Sequence, residues 1–246
     1  MPYYKKKKYY KRKRKYNSKG STKSFKRTYS RNRQNALQTK VGQPFPPSLA
    51  TRNNWAETST DISQALPGAP TVQTMLKLGS AYDPAAAPGL NQESIQYHNI
   101  YSRYYSQYCV TYVKVNIKWR NTGTNDARVI CGISDDQNPV WTNVNMNEFQ
   151  MQPYTQTRIL EADQGSRYNR ATMNFKFNLA KWRKRNKINP EDWASIVATD
   201  PVKYPILYYA IQSESVAQTA LVKADITATF YTKYSRRNQG AIMNSQ

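Results

Sequence analysis

The sequence predicts an all-β fold, a sandwich or barrel of antiparallel strands, preceded by a basic arm that does not fold on its own. Three observations carry this. Several segments alternate apolar and polar residues with a period of two, only two patches have helical character, and the charge is divided very unevenly along the chain. Residues 1–52 hold 17 Lys and Arg and no acid, whereas residues 53–246 hold 20 basic and 15 acidic residues, so the net +22 splits into +17 and +5. The charge is a property of the leader, not of the fold.

The arm comes first. It opens MPYYKKKKYYKRKRKY, contains Lys5, Lys6, Lys7, Lys8, Lys11, Arg12, Lys13, Arg14, Lys15, Lys19, Lys23, Lys26, Arg27, Arg31 and Arg33, and has almost no aliphatic residues. A segment of one sign with so little apolar surface cannot offset the entropy of ordering it, which predicts disorder over residues 1–41 when free. Its cations suit salt-sensitive, sequence-blind neutralisation of phosphates. The interleaved Tyr3, Tyr4, Tyr9, Tyr10, Tyr16 and Tyr29 add rings on which unpaired bases can stack, at roughly 1–3 kcal/mol per base. Cation and ring together point to single-stranded nucleic acid. The same KKKKYYKRKRK run meets the requirement of nuclear import receptors for an exposed basic cluster.

Residues 42–71, rich in Pro, Ser, Thr and Asn, read as linker and surface loop, so the folded body is expected over residues 72–235, followed by a tail at 236–246. Within the body CVTYVKVNIKWR (109–120) is the strongest strand, with Cys109, Val113, Val115, Ile117 and Trp119 assigned to its apolar face. NTGTND supplies a turn, and ARVICGIS (127–134) completes an antiparallel pair. ATMNFKFNL and LVKADITATFYTKY repeat the alternation. YPILYYAIQ (204–212) is apolar throughout and reads as a strand buried on both faces. TVQTMLKLGS and TQTRILEA are weaker candidates, which brings the number of strand segments to seven. The helical patches are ESIQYHNIYSRYYSQY and NPEDWASIV, the latter with Asn189 as N-cap and Pro190 at the first helical position.

Chemistry is sparse. His98 is the only histidine and has no nearby Cys, Asp or Glu, so no triad is assigned. Cys109 and Cys131 are too few for a disulfide framework and are expected to be small buried hydrophobes of a reducing compartment. Asp135 and Asp136 stand in a turn-like SDDQNP, and no ligand set for a metal or cofactor is seen. There is no glycine-rich phosphate loop and no apolar run of the roughly 18 residues that span a bilayer, so neither nucleotide hydrolysis nor membrane insertion is expected. A second basic cluster, AKWRKRNK, brings together Lys181, Arg183, Lys184, Arg185 and Lys187 and is read as an exposed loop that either extends a phosphate track or binds another anionic surface.

The layout, a basic aromatic leader, a Pro/Ser/Thr-rich link and a β body, resembles a small viral coat protein. The segments YSQYCVTYVKVNIKW and ADITATFYTKY make it similar to the capsid proteins of circoviruses and related viruses with circular single-stranded DNA genomes, although circovirus arms are dominated by Arg where this one uses Lys and Tyr. The resemblance implies a single eight-stranded viral jelly roll of two packed four-stranded sheets, so one strand is unplaced by periodicity. It also implies a structural, non-enzymatic subunit that assembles with itself into a T=1 icosahedral shell and packages single-stranded DNA, found in the virion and the host nucleus. The attachment factor stays unnamed. Two alternatives stay open: a coat protein of a small RNA virus, and a non-assembling nuclear nucleic-acid-binding protein. With about 60 copies, each arm bringing roughly 15 charges, a shell interior would gain on the order of 900 positive charges, comparable to the phosphates of a small genome.

Overall fold

The computed structural model describes residues 46–86, 90, 92–134, 146–151, 154–163, 167–188 and 194–237. Along the chain these form β1 (Leu49–Ser63), β2 (Thr71–Lys77), α1 (His98–Tyr104), β3 (Tyr105–Asn121), β4 (Ala127–Ser134), α2 (Met146–Gln150), β5 (Gln156–Leu160), β6 (Arg170–Phe177), α3 (Leu179–Arg185), β7 (Ser195–Ile196), β8 (Ile206–Ser213) and β9 (Leu221–Arg237). One sheet has the order β1-β9-β3-β6, with the two-residue β7 beside β3, and the other has the order β2-β8-β4-β5. The antiparallel pairings nest: β1 with β9, β2 with β8, β3 with β6, β4 with β5. A long hairpin rolled up so that its outer strands pair with each other gives this nesting, and the fold is a jelly roll.

The core follows from the alternation. Val113, Val115, Ile117 and Trp119 of β3, with Val222, Ala224, Ile226 and Phe230 of β9, face Leu207, Tyr209 and Ile211 of β8 across the sandwich. The other side of β8, Ile206, Tyr208 and Ala210, is covered with Ile130 by Met146 and Phe149 of α2. That cover explains why YPILYYAIQ lacks alternation: both faces of β8 are dry. The close approach of this cover is visible at Gly132, where a Cβ would lie 2.7 Å from Thr155 Cγ2.

Several expectations are corrected. The segment 42–71 is not linker throughout: Leu49–Ser63 is a fifteen-residue strand paired along its length with β9, and it is the strand that periodicity left unplaced. Its inward positions include Thr51 and Asn53 as well as Trp55, and a bulge between Glu57 and Thr60, with Ser59 at φ 54°, shifts the register, so no clean apolar alternation is printed in the sequence. The folded body therefore starts well before residue 72, and β9 runs to Arg237, into the segment read as tail. Of ESIQYHNIYSRYYSQY only His98–Tyr104 is helical, because β3 already begins at Tyr105. In NPEDWASIV, residues 189–193 lie outside the described residues, and Ser195–Ile196 form β7 against Gln107 and Tyr108 instead of a helix.

Candidate nucleic-acid interface

The cations and tyrosines assigned to the arm, Lys5 to Arg33 and Tyr3 to Tyr29, lie outside the described residues, as do Asp135 and Asp136. The second basic cluster is described, and it is a helix, not a loop. Asn178 caps α3 by accepting a hydrogen bond from the backbone N–H of Lys181 at 2.9 Å, and Leu179, Trp182 and Arg183 are buried at helical spacing. An N-cap asparagine followed by Leu179, Trp182 and Arg183 at intervals of three and four is the signal that could have revealed this helix from sequence.

The helix divides the cluster. Lys181, Lys184, Arg185 and Lys187 are exposed. Arg183 is only 5% exposed, and its guanidinium donates to Cys109 Sγ at 2.9 Å. Arg183 therefore does not belong to the surface patch. Burial lowers the pKa of its guanidinium, and the adjacent thiol acts in the opposite direction. Burial likewise pushes the Cys109 thiol up, against the pull of Arg183.

Cys109 is not on the face that alternation assigned to it. A bulge between Val110 and Tyr112 flips the register, so Cys109 pairs with the exposed Lys233 and points outward, while Val110 is fully buried. Through Arg183, α3 bears on this outward side of the sheet. Cys131 does face the interior, and burial raises its pKa well above the usual thiol range. Both thiols are free and buried.

His98 has a packing role. It is buried at the start of α1, with Nε2 2.7 Å from the carbonyl of Val197 and Nδ1 2.8 Å from Tyr234 Oη. A carbonyl only accepts, so Nε2 carries the proton; burial favours the neutral ring, in which Nδ1 accepts from the tyrosine hydroxyl. Burial lowers the His98 pKa and raises that of Tyr234 well above the usual phenol range. The rings of Tyr82, Tyr108 and Tyr234 surround it. No carboxylate is in hydrogen-bond reach of the imidazole among the described residues, and no group of three or more His, Cys, Asp or Glu there could hold a metal ion. Among the described residues no helix is long and apolar enough to cross a membrane.

One surface is not apparent from sequence. The outward face of the β1-β9-β3-β6 sheet carries Lys114, Lys118 and Arg120 from β3 and Lys223 and Lys233 from β9. These residues are the polar half of the alternation. Sequence supplied their facing but not their company, because that depends on which strands become neighbours.

No protein-family model matches this chain, and no curated protein matches it. Among solved structures, the chain is similar to one of Desmodium yellow mottle tymovirus, at 12% identity and a TM-score of 0.41, with 82% of this chain and 94% of that chain covered. A semi-empty virus-like particle of the giant freshwater prawn Macrobrachium rosenbergii nodavirus matches at 9% identity and a TM-score of 0.44, covering 79% of this chain and 97% of that one. Tobacco necrosis virus matches at 14% identity and a TM-score of 0.42, with 80% and 100% covered.

Proposed function

We propose that this protein is the coat subunit of a small virus, a jelly-roll body that meets copies of itself in a closed shell and packages a single-stranded genome through its basic arm. The observation that carries the reading is the division of charge: 17 cations and no acid over residues 1–52, all but Arg52 preceding the first strand of the jelly-roll body. A leader of this composition collects polyanion, and a rigid two-sheet body supplies geometry. Large apolar side chains left exposed on the single subunit, among them Met151, Tyr168, Ile196 and Val216, support burial against neighbouring copies.

The preference for DNA is not retained. The segments that carried the circovirus resemblance are the central strands β3 and β9, and a strand's place in a sheet does not distinguish one genome chemistry from the other. Phosphates and bases present the same chemistry to Lys and Tyr in either sugar, so the cargo is single-stranded nucleic acid, with RNA the first to test. Nuclear import through KKKKYYKRKRK belongs to the same proposal and is tested by fusing residues 1–41 to a reporter, with cytoplasmic retention as the outcome against it.

The test is expression of the full chain, electron microscopy of the purified product, and digestion of extracted cargo with RNase and with DNase. Closed particles holding nuclease-sensitive nucleic acid are expected. A monomer at every salt and protein concentration, with no affinity for either polymer at low salt, overturns the reading.

A further inference from the structure

The outward face of the β1-β9-β3-β6 sheet is built in cross-strand rows. Near the start of β1, Arg52 pairs with Tyr231, and Tyr231 with Tyr112. The next row holds Lys114 and Lys176, paired with each other across β3 and β6. A central row is uncharged, with Asn116 Nδ2 donating to Asn174 Oδ1 at 2.7 Å beside Thr227. Farther along come Lys118, then Arg120, which pairs with Lys223 on one side and Arg170 on the other.

Cations outnumber acids on this face. Among the described residues of these four strands, seven basic residues (Lys114, Lys118, Arg120, Arg170, Lys176, Lys223 and Lys233) stand on this face against two acidic ones (Asp61 and Asp225). The described face is therefore strongly cationic, and Arg52 adds to it. The opposite sheet turns apolar residues outward and covers them with α2.

The two ends of the face differ in chemistry. At one end Lys118, Arg120, Arg170 and Lys223 line a groove of about 390 Å³ with Ser59 and Thr172. Asp225, also in its lining, is already engaged by the backbone N–H of Ser59 at 2.8 Å. Arg120 contacts Asp163 at 3.4 Å and Lys223 contacts Asp61 at 3.3 Å. Such exposed pairs are weak and exchange readily for another anion. At the other end the Tyr112 and Tyr231 rings meet edge to face with centroids 5.4 Å apart, and Arg52 and Lys114 lie 5.9 and 5.7 Å from the Tyr231 ring centroid.

We propose that this face is a second nucleic-acid surface, on which a single strand lies with phosphates at Lys118, Arg120, Arg170 and Lys223 and a base against the Tyr112–Tyr231 pair. The inference rests on the packaging role above and assigns part of it to the body. An acidic peptide or a sulfated sugar would satisfy the cations but leave the rings and the amide row without a role, whereas a polymer of alternating phosphate and base uses all three. From Tyr112 to Arg120 the strand rises about 26 Å at ~3.3 Å per residue, on the order of eight nucleotides at the stacked spacing of ~3.4 Å. The face also lies where the chain enters the body, since Arg52 follows closely on Leu49, the first residue of β1.

The test uses the full chain and a photoreactive single-stranded oligonucleotide, with cross-linked peptides mapped by mass spectrometry. Adducts on the peptides holding Tyr112 or Tyr231 are expected in addition to any on the arm. Adducts confined to residues 1–41 overturn the sheet surface while leaving the packaging role standing, and absence of binding overturns both. In parallel, K118Q/R170Q/K223Q is expected to reduce the slope of log affinity against log salt by about 2, at ~0.7 for each phosphate no longer neutralised, with R158Q on the other sheet leaving it unchanged. An unchanged slope in the triple variant overturns the proposal. Y112S/Y231S is expected to weaken oligonucleotide binding about fivefold or more and heparin binding not at all. Equal weakening for both ligands would mark a generic anion surface and overturn the base-stacking assignment.

Discussion

Gln64 shows how a polar side chain can hold a β sandwich together from inside. It is 3% exposed, its Nε2 donates to the carbonyls of Leu66 and Ala69 at 2.7 Å each, and its Oε1 accepts from the backbone N–H groups of Ser213 and Ala220 at 2.7 and 2.9 Å. One amide thereby joins the end of β1, the loop to β2 and the connection from β8 to β9, with every hydrogen-bonding position used. Gln64→Ala leaves two buried N–H groups without acceptors, and at about 1–3 kcal/mol for each, a loss of roughly 2–6 kcal/mol is expected in denaturant unfolding of the body. His98, at the opposite end of β9, sets a pH limit. Because burial lowers its folded pKa below the ordinary 6.5, the unfolded chain binds the proton at a higher pH than the folded one, so stability is full above that value and falls as pH drops through it. His98→Gln is expected to be less stable at neutral pH but to show a flatter dependence of Tm on pH between 7 and 5. Parallel curves for the two proteins would contradict this.

At the scale of elements, β1 decides where the body begins. It covers one edge of β9, whose inward Ala228 and Phe230 pair with Trp55 and Asn53. A chain beginning at Gln43 keeps this strand and is expected to be soluble and β-rich, while one beginning at Val72 exposes the long edge of β9 and is expected to aggregate. Circular dichroism and light scattering of the two chains check it. In α3 the cations separate by burial, and so should their phenotypes. Arg183→Ala is expected to lower Tm by removing a guanidinium buried beside Cys109. K181Q/K184Q should leave stability within about 0.5 kcal/mol and instead weaken oligonucleotide binding at low salt.

For the whole molecule, the asymmetry of the two sheets matters most. One sheet turns outward a set of apolar residues that α2 covers, and the other leaves its cationic rows from Tyr112 to Arg120 open. The cationic face is assembled by the nested pairing, which brings β1 and β9, the first and last strands, beside β3 and β6 from the middle of the chain. Nucleic-acid affinity of the full chain is therefore expected to fall steeply with salt, with a residual dependence that survives deletion of residues 1–41. Disappearance of all salt dependence on that deletion would assign every phosphate to the arm.

Local pattern was enough to find the strands β3, β4, β6, β8 and β9 and the depth at which Cys131 sits, beside the uneven charge that composition itself states. Composition and a period of two are local quantities, and each of these features is locally printed. The same pattern left β1 hidden, because Thr51 and Asn53 take inward places that apolar residues usually hold and a bulge at Ser59 breaks the period. It placed Cys109 on the wrong face, because a single extra residue at Thr111 reverses the alternation beyond it. That Arg183 is interior, and that Arg52, Lys114, Arg170 and Lys223 share one surface, emerged with the folded chain alone. Burial and company are set by which strands pair, and that pairing joins residues far apart in the sequence.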